Sequence, residues 1–346
     1  MIAAGMPGTL SPALTGTSAD ERPAAMESTS LARPRLSGAA KAALFLLLAA
    51  ASLLPWAGPA SALVAGIAFS LAFGNPWIRR TSLWSKYLLQ GSVVLLGFGL
   101  SLGTVWTVGA RSALYTVVGI SLTLALGMAL GRLLGIPGPV GALVSFGTAI
   151  CGGSAIAAMA PVVKAKTEEI AVALATVFTL NAVALLLFPA VGRLLHVGQA
   201  PFGLWAGLAI HDTSSVVGAA SAFGPDALAI ATTVKLTRAL WIMPFVLGAA
   251  LLVKSEQKAT FPLFVAGFVA AAAIRTALPG FEPAWHGLML AARRLLVLTL
   301  FLIGSGLTRD VLRRVGLRPL AHGILLWAIV GSATLAAILS GLIAPP

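Results

Sequence analysis

The sequence has 346 residues, of which 58% are hydrophobic and only 10% are charged, and its formal net charge is +13. Soluble domains contain about 45–50% apolar and about 25% charged residues, so this chain has too little polar surface to cover itself in water. The composition excludes an ordinary soluble domain and predicts an all-α polytopic membrane protein embedded in a lipid bilayer.

The positive charge does not indicate a nucleic-acid partner. The basic residues lie in short gaps between apolar runs and not on one face of a polar domain, as the positive-inside bias of membrane proteins produces. The chain has a single cysteine, Cys151, which excludes an internal disulfide and a multi-cysteine metal site. The four histidines are too scattered along the sequence to indicate a metal site.

Residues 1–40 are rich in Ala, Pro, Ser and Thr and have no apolar core. We therefore predict a disordered cytoplasmic N-terminal tail without a cleavable signal peptide, followed by one transmembrane domain over residues 41–346. A helix needs about 20 apolar residues to cross a bilayer, and the apolar runs predict about eleven membrane-embedded helices. They lie near residues 42–57, 60–76, 84–106, 111–134, 139–163, 168–192, 200–224, 227–252, 260–278, 286–307 and 319–343.

The distribution of lysine and arginine indicates how these segments are oriented in the membrane. With the tail in the cytoplasm, most basic residues fall in loops on the same side, and Arg111, Lys164, Lys166 and Arg275 fall on the opposite side. Cytoplasmic loops carry the excess of Lys and Arg, so we expect a multi-pass protein of the bacterial inner membrane with a cytoplasmic N-terminus. Small residues spaced four apart in the fourth segment indicate close packing inside the bundle and are also compatible with a homodimer.

The fifth segment contains a glycine-rich stretch, residues 146–156, in its middle. Paired glycines are poor helix formers, and a broken backbone at this depth must be buried in protein or face a hydrated cavity. A helix resuming after such a break directs its N-terminal amides at the midplane, where they favour anions. We predict that Cys151, Gly152, Gly153 and Ser154 bind substrate; the alternative is a helix crossing packed through glycine.

The seventh segment contains five consecutive polar residues. They are His211, Asp212, Thr213, Ser214 and Ser215. Inserting an aspartate into the middle of a membrane costs ~2.5–3.5 kcal/mol, so such a residue is expected to have an interaction partner or a function. We predict that the His-Asp pair carries a coupling H⁺ or binds Na⁺ and that the three hydroxyl residues bind substrate. The alternative is a hydrogen-bonded clasp between helices or a loop at the membrane surface.

Two basic residues, Lys235 and Arg238, lie inside the eighth segment and share one helix face because they are three apart. Two buried cations near a polar break in a helix would suit a dianionic substrate. The alternative is that both side chains extend along the helix and place their charges at the membrane–water interface. Asn181, in the middle of the sixth segment, is predicted to line the same site; an interhelical hydrogen bond is its alternative role.

The glycine-rich stretch of the fifth segment and the polar stretch of the seventh have identical residues at positions sixty apart, such as Gly147 and Gly207, and Ser154 and Ser214. Internal symmetry is typical of transporters. If each stretch is a re-entrant hairpin, the two enter from opposite faces, and Lys164 becomes cytoplasmic. If each is a full crossing, the count of eleven stands. Both arrangements remain open at this point.

Catalytic motifs are not evident. The sequence has no His-x-x-x-His, no nucleophile elbow and no paired carboxylates at useful spacing, so we expect no enzyme. The remaining enzymatic alternative is Cys151 as a nucleophile beside His211.

Four strings closely resemble the YeiH-type sulfate exporter family. They lie at residues 149–158, 160–165, 211–219 and 235–238, and the resemblance extends from about residue 40 to the C-terminus. Some relatives have Glu where this chain has Ala160, and His-Glu where it has His-Asp.

The resemblance implies a secondary transporter, distantly similar to cation/proton antiporters and anion transporters. It also implies two inverted five-helix repeats, formed by segments 2–6 and 7–11. Discontinuous helices are then expected near Cys151–Gly153 and near Ile303–Gly306, within eleven full crossings.

We therefore expect ion-coupled export of a small anion, such as sulfate, sulfite or a small sulfonate, without a bound cofactor. One alternative is a cation/proton antiporter in which Asp212 binds the ion and Lys235 competes with it. Another is a non-transporting membrane scaffold or sensor, although a scaffold gains nothing from embedded polar residues that are costly to insert.

Overall fold

The computed structural model describes residues 37–253, 263–314 and 316–344, so the predicted tail lies almost wholly outside the described residues. Every regular element in these ranges is helical, which confirms the all-α prediction. The helices are α1 (Gly38–Ala51), α2 (Pro59–Phe73), α3 (Ile78–Leu96), α4 (Leu102–Leu133), α5 (Gly138–Ala149), α6 (Gly153–Met159), α7 (Thr167–Leu194), α8 (Gln199–Ala209), α9 (Thr213–Phe223), α10 (Pro225–Leu240), α11 (Ile242–Val253), α12 (Leu263–Ala277), α13 (Glu282–Ser305), α14 (Arg309–Arg314) and α15 (Leu317–Leu339).

Several helices have the length and composition of membrane spans. Five stretches are long and apolar enough to cross a bilayer: Leu102–Leu133, Thr167–Leu194, Pro225–Leu252, Pro279–Ser305 and Leu317–Leu339. Three shorter helices, α1, α2 and α12, are also apolar. Large apolar side chains on α4 point outward, such as Leu114 at 68% exposure and Leu122 at 65%. Such a surface requires lipid around it, so the chain is a multi-pass membrane protein.

The predicted segment 139–163 consists of two helices that fold back on each other. α5 ends at Ala149, Gly152 has a φ of +70°, and α6 begins at Gly153. A Cβ on Gly147 would lie 2.9 Å from Cδ1 of Ile156. In one straight helix, nine residues would separate these positions by about 13 Å along the axis. The segment is therefore a hairpin, hereafter hairpin 1 (residues 138–159).

The predicted segment 200–224 folds back in the same way. The backbone N–H of Asp226, at the start of α10, donates to Oε1 of Gln199, at the start of α8, at 3.0 Å. Nη2 of Arg193, near the end of α7, donates to the carbonyl of Ala222, near the end of α9, at 2.6 Å. The chain thus leaves this segment at the end where it entered, and we call it hairpin 2 (residues 199–223).

The direction of α10 supports this assignment independently. Gly203 of α8 packs on Ala227, and Gly207, one turn later, packs on Val234. Residue numbers increase together along the two helices, so α8 and α10 run parallel. Parallel neighbours require an intervening element that returns to the starting end, and α9 is that element.

The two hairpins approach from opposite ends of the bundle. Hairpin 1 lies between the end of α4 and the start of α7, whereas hairpin 2 lies between the end of α7 and the start of α10. Their tips meet, because a Cβ on Gly152 would lie 3.2 Å from the Cβ of Asp212. Of the two arrangements left open by the sequence, the structure has the hairpins.

Two expectations drawn from the resemblance are wrong. The segments 139–163 and 200–224 are not full crossings. Near Ile303–Gly306 the chain has no break inside a helix, because α13 is continuous to Ser305 and ends there with Gly306 as its C-cap. Gly304 serves helix packing instead: a Cβ there would overlap the carbonyl of Leu63 on α2. Glycine at this position lets the two backbones approach closely. The second break is at residues 210–212, between α8 and α9.

The helices form two packed groups. Helices α1–α3, α12 and α13 form the scaffold group, in which the ring of Phe45 packs 5.3 Å from that of Phe69 and 5.1 Å from that of Phe301. Hairpins 1 and 2 with α7, α10 and α15 form the hairpin group. Helix α9 packs against α2 and α13, and α4 contacts members of both groups.

Candidate functional site

The hairpin tips bring most of the predicted site residues together. Cys151 and Gly152 of hairpin 1 are buried, as are His211, Thr213, Ser214 and Ser215 of hairpin 2. Asn181 of α7 and Lys235 and Arg238 of α10 are buried beside them. Asp212 and Gly153 are half-buried, and Ser154 is exposed. Of the predicted set, only Ser154 faces outward.

Gly152 is the point of closest contact between the hairpins. Its φ of +70° lies in the region that favours glycine. A Cβ here would also lie 3.2 Å from the Cβ of Asp212 and 3.6 Å from Nδ2 of Asn181. Any larger residue would therefore be strained and would push the two tips apart.

The Asp212 carboxylate caps α9. Its Oδ2 accepts a hydrogen bond from the backbone N–H of Ser214 at 3.1 Å and a second one from the Ser214 hydroxyl. A helix N-terminus stabilises negative charge, and aspartate is a preferred residue there. Asp212 thus occupies the N-terminus of α9, and the Ser214 hydroxyl, which the sequence assigned to substrate, binds Asp212 in this state.

The two cations bind backbone carbonyls. Nζ of Lys235 donates to the carbonyl of Ile210 at 2.7 Å. Nε of Arg238 donates to the carbonyl of Ala149 at 2.6 Å, and Nη1 donates to that of Leu208. These carbonyls lie at the C-terminal ends of α5 and α8, which carry partial negative charge. Both side chains are almost fully buried, so snorkelling does not explain them.

Several buried polar atoms at the tips have no hydrogen-bond partner among the described residues. They are both ring nitrogens of His211, both amide atoms of Asn181, and Nη2 of Arg238. A buried polar group without a partner costs about 1–3 kcal/mol. In native proteins such groups are usually accounted for by water, an ion or a ligand. These three side chains are therefore available to bind a small polar molecule.

Trp327 of α15 also lines the site at the hairpin tips, which the sequence did not indicate. Its ring centroid lies 6.4 Å from that of His211 in an edge-to-face arrangement and 5.6 Å from that of Phe188. Its indole N–H has no partner within the described part of the chain. Trp327 lies in an ordinary apolar run without polar neighbours, so only the tertiary structure reveals its place beside the site.

The charges at the tips favour an anion. Lys235 and Arg238 are two formal positive charges, and Asp212 is one negative charge. The free atoms of the three available side chains are mostly donors, which suit the oxygens of an anion. An unbalanced charge of this sign acts strongly in a site with a low dielectric constant.

Burial decreases from the tip of hairpin 1 into the start of α6. Gly153 is half-buried between the tip and the exposed Ser154. The ring of Phe178 lies over Gly153, with Cζ 3.0 Å from the position of a Cβ there, and is itself 44% exposed. Phe178 thus packs over the start of α6, next to the junction of the hairpin tips.

Comparison with known proteins gives one family. The family described as conserved hypothetical protein 698 matches residues 39–323. A UPF0324 membrane protein of Geobacter sulfurreducens is 59% identical over 294 residues, which cover 85% of this chain and 95% of that protein. A UPF0324 membrane protein of Bdellovibrio bacteriovorus is 49% identical over 83% of this chain and 90% of its own length. No solved structure matches the chain.

Proposed function

Since the chain belongs to the conserved hypothetical protein 698 family, together with the UPF0324 membrane proteins, we propose that it is a secondary transporter of a small anion. The family match confirms the resemblance drawn from the motifs. The observation that carries the proposal is the cluster at the facing hairpin tips. It combines two buried cations, one carboxylate and unpartnered donors at the point where two broken helices meet.

Broken helices of this kind suit transport. Their half-helix ends present backbone dipoles to ions near the middle of a membrane, and transporters use them for that purpose. A purely structural scaffold gains nothing from ionisable groups at this depth, since such groups are costly to insert. We assign no catalytic role to Cys151 or His211.

The contacts support nine crossings and two re-entrant hairpins. The crossings are α1, α2, α3, α4, α7, α10 with α11, α12, α13 and α15. Four crossings precede hairpin 1, so the loop containing Lys164 and Lys166 lies on the same side as Lys41 and Arg132. This side then carries the excess of basic residues and is cytoplasmic. We therefore propose an inner-membrane protein with its N-terminus in the cytoplasm.

The repeat unit is a hairpin followed by a crossing. Hairpin 1 with α7 and hairpin 2 with α10 and α11 have the same order of elements and opposite directions. This inverted pair matches the sequence echo between Gly147 and Gly207. We propose it as the repeat in place of the two five-helix repeats.

In the proposed mechanism, Asn181, His211 and Nη2 of Arg238 bind the anion oxygens. Asp212, half-buried at the cap of α9, carries the coupling H⁺ or binds Na⁺. Transport proceeds by alternating access as the hairpin group moves against the scaffold group. The substrate class is a small oxyanion such as sulfate or sulfite, or a small sulfonate, and the direction is export.

Flux in proteoliposomes tests the proposal. Purified protein is reconstituted, and uptake of ³⁵S-sulfate and ³⁵S-sulfite is measured under imposed pH and Na⁺ gradients. We expect anion flux that the variant Asn181→Leu abolishes, because it removes both free amide atoms and keeps the branching of the side chain. The control is Gln90→Leu, which replaces a half-buried amide of α3 in the scaffold group, away from the tips.

Two results would replace the proposal. Na⁺/H⁺ exchange without anion flux would identify a cation/proton antiporter in which Asp212 binds the ion. No flux of any kind, with no effect of Asp212→Ala or His211→Ala on anion tolerance of cells, would support a scaffold or sensor.

A further inference from the structure

One side chain joins the tips of both hairpins. Arg238 donates from Nε to the carbonyl of Ala149, the last residue of α5, and from Nη1 to that of Leu208, near the end of α8. Arg238 is 2% exposed. The two carbonyls belong to different hairpins that enter from opposite ends of the bundle. No hydrogen bond within a single hairpin could set the relative position of the tips in this way.

The third guanidinium nitrogen has a different role. Nη2 of Arg238 is buried and has no hydrogen-bond partner in the described ranges, 37–253, 263–314 and 316–344. A guanidinium is a rigid planar fork, so fixing Nε and Nη1 also fixes the direction of Nη2. The orientation of the free N–H groups therefore depends on both tips being in place.

Lys235, one turn earlier on α10, supports the same arrangement. Its ammonium group donates to the carbonyl of Ile210, within the break of hairpin 2. This contact holds one tip only, whereas Arg238 holds both. The charge of Lys235 thus compensates the partial negative charge at the C-terminal end of α8, whereas Arg238 connects the two hairpins.

We propose that Arg238 is a positioning residue that clamps the two hairpin tips together, and that Nη2 faces the anion only while this clamp is closed. The clamp is inferred only from the hydrogen bonds of Arg238 to the two hairpins. The role of Nη2 in facing the anion rests in addition on the proposed function. The anion site then exists only when both hairpins contribute to it. The hairpins accordingly move as one body and do not act as independent gates.

Cys151 provides a native probe of the clamp. It is the only cysteine of the chain, lies two residues after Ala149 in the tip of hairpin 1, and is 4% exposed. The rate of its alkylation by N-ethylmaleimide is measured on the purified full-length protein and on Arg238→Lys and Arg238→Gln. Lysine retains the charge but cannot reach both carbonyls in fixed directions. We expect alkylation to be about tenfold faster or more in both variants, since opening of the tip controls access to the thiol.

The matched control is Arg193→Gln. Arg193 also donates to a carbonyl of hairpin 2, that of Ala222, but at the open end of the hairpin. Its replacement removes an arginine–carbonyl contact without touching the tips, so Cys151 should remain as unreactive as in the wild type. An Arg238→Lys protein that is folded by gel filtration and keeps the wild-type alkylation rate would overturn the clamp.

A second measurement needs no variant. Amide hydrogen exchange of the wild type should show residues 150–152 and 210–212 opening with the same free energy across a denaturant series, because one clamp protects both tips. Separate opening of the two segments would overturn the proposal even if the Arg238 variants fail to fold.

Failure of the clamp and failure of the transport proposal give different results. Fast alkylation in Arg238→Lys with no sulfate or sulfite flux in the wild type leaves the clamp standing and rejects the transport proposal. Sulfite flux in the wild type with slow alkylation in Arg238→Lys rejects the clamp and leaves transport. If both hold, Arg238→Lys should raise the KM for the transported anion more than it lowers the maximal rate.

Discussion

Glycine at position 152 is required by two independent features of the backbone and its surroundings. The positive φ disfavours a side chain, and a Cβ would press on Asp212 across the junction of the tips. Gly135 also has a positive φ, +62°, but a Cβ there would meet nothing within 4 Å. The two positions therefore separate backbone strain from the contact between hairpins.

We predict that Gly152→Ala abolishes anion flux and lowers thermal stability more than Gly135→Ala does. Each substitution incurs roughly 1–3 kcal/mol of backbone strain, and only Gly152→Ala also displaces the opposite tip. Thermal unfolding in detergent and flux in proteoliposomes check this prediction. Equal effects of the two substitutions would mean that the tips do not have to touch.

Asp212 combines a structural and a proposed functional role, and asparagine separates them. Asparagine caps a helix about as well as aspartate but carries no charge. We predict that Asp212→Asn folds normally, keeps exchange of anion down its own gradient and loses flux driven by an ion gradient. Asp212→Ala should in addition lose about 1 kcal/mol of stability with the cap.

The control for this pair is Asp226→Asn, in the exposed first turn of α10. It changes the same charge outside the hairpin tips and should leave driven flux intact. Driven flux that persists in Asp212→Asn would remove Asp212 from the coupling mechanism.

At the scale of elements, the position of each break was predictable and its geometry was not. Two glycines mark the break near residue 152, and a run of polar residues marks the one near 211, because neither suits an uninterrupted helix in lipid. Hydropathy is the same whether the chain continues or turns back after a break. The turn is fixed by distant contacts, such as that between Asp226 and Gln199, which no local pattern contains.

The same limit applies to the site. The sequence showed that Lys235 and Arg238 are embedded, but their partners are backbone carbonyls, which every residue has and no sequence pattern distinguishes. That they balance substrate charge stays a prediction. In this structure, Nζ of Lys235 and two of the three guanidinium nitrogens of Arg238 donate to those carbonyls. Trp327 was missed because its role depends on how α15 packs against hairpin 2.

Sided labelling tests the hairpin topology. In a Cys151→Ala background, we predict that Lys166→Cys reacts with an impermeant maleimide from the cytoplasm and Arg193→Cys reacts from the outside, because hairpin 1 returns to the end of the bundle that we propose to be cytoplasmic. Eleven full crossings would reverse both results. Asp226→Cys is the reference for orientation, since both topologies place it outside. Reaction of Lys166→Cys from the outside would reject the hairpins.

At the scale of the whole molecule, the arrangement of the two groups determines which contacts would have to break during the proposed transport. Buried contacts at the tips hold the hairpin group together. Trp205 of α8 adds a contact with α15, because its indole N–H donates to the carbonyl of Gly331 at 2.9 Å. The contacts between α9 and α13, by contrast, join the hairpin group to the scaffold group. Gly218 of α9 lies under Leu300 of α13, where a Cβ would be 3.0 Å from Cδ1.

Cross-linking distinguishes movement between the groups from movement within one. In the Cys151→Ala background, the pair Gly218→Cys and Leu300→Cys spans the two groups, and the pair Thr176→Cys and Gly323→Cys lies within the hairpin group, where a Cβ on Gly323 would be 2.9 Å from Cγ2 of Thr176. We predict that bridging the first pair with Hg²⁺ stops anion flux and that bridging the second pair does not. Both pairs must retain flux before bridging and after its reversal by a thiol, which controls for packing damage. A first pair that transports while bridged would show that the groups stay fixed relative to each other, so that access must alternate through movement of the hairpins themselves.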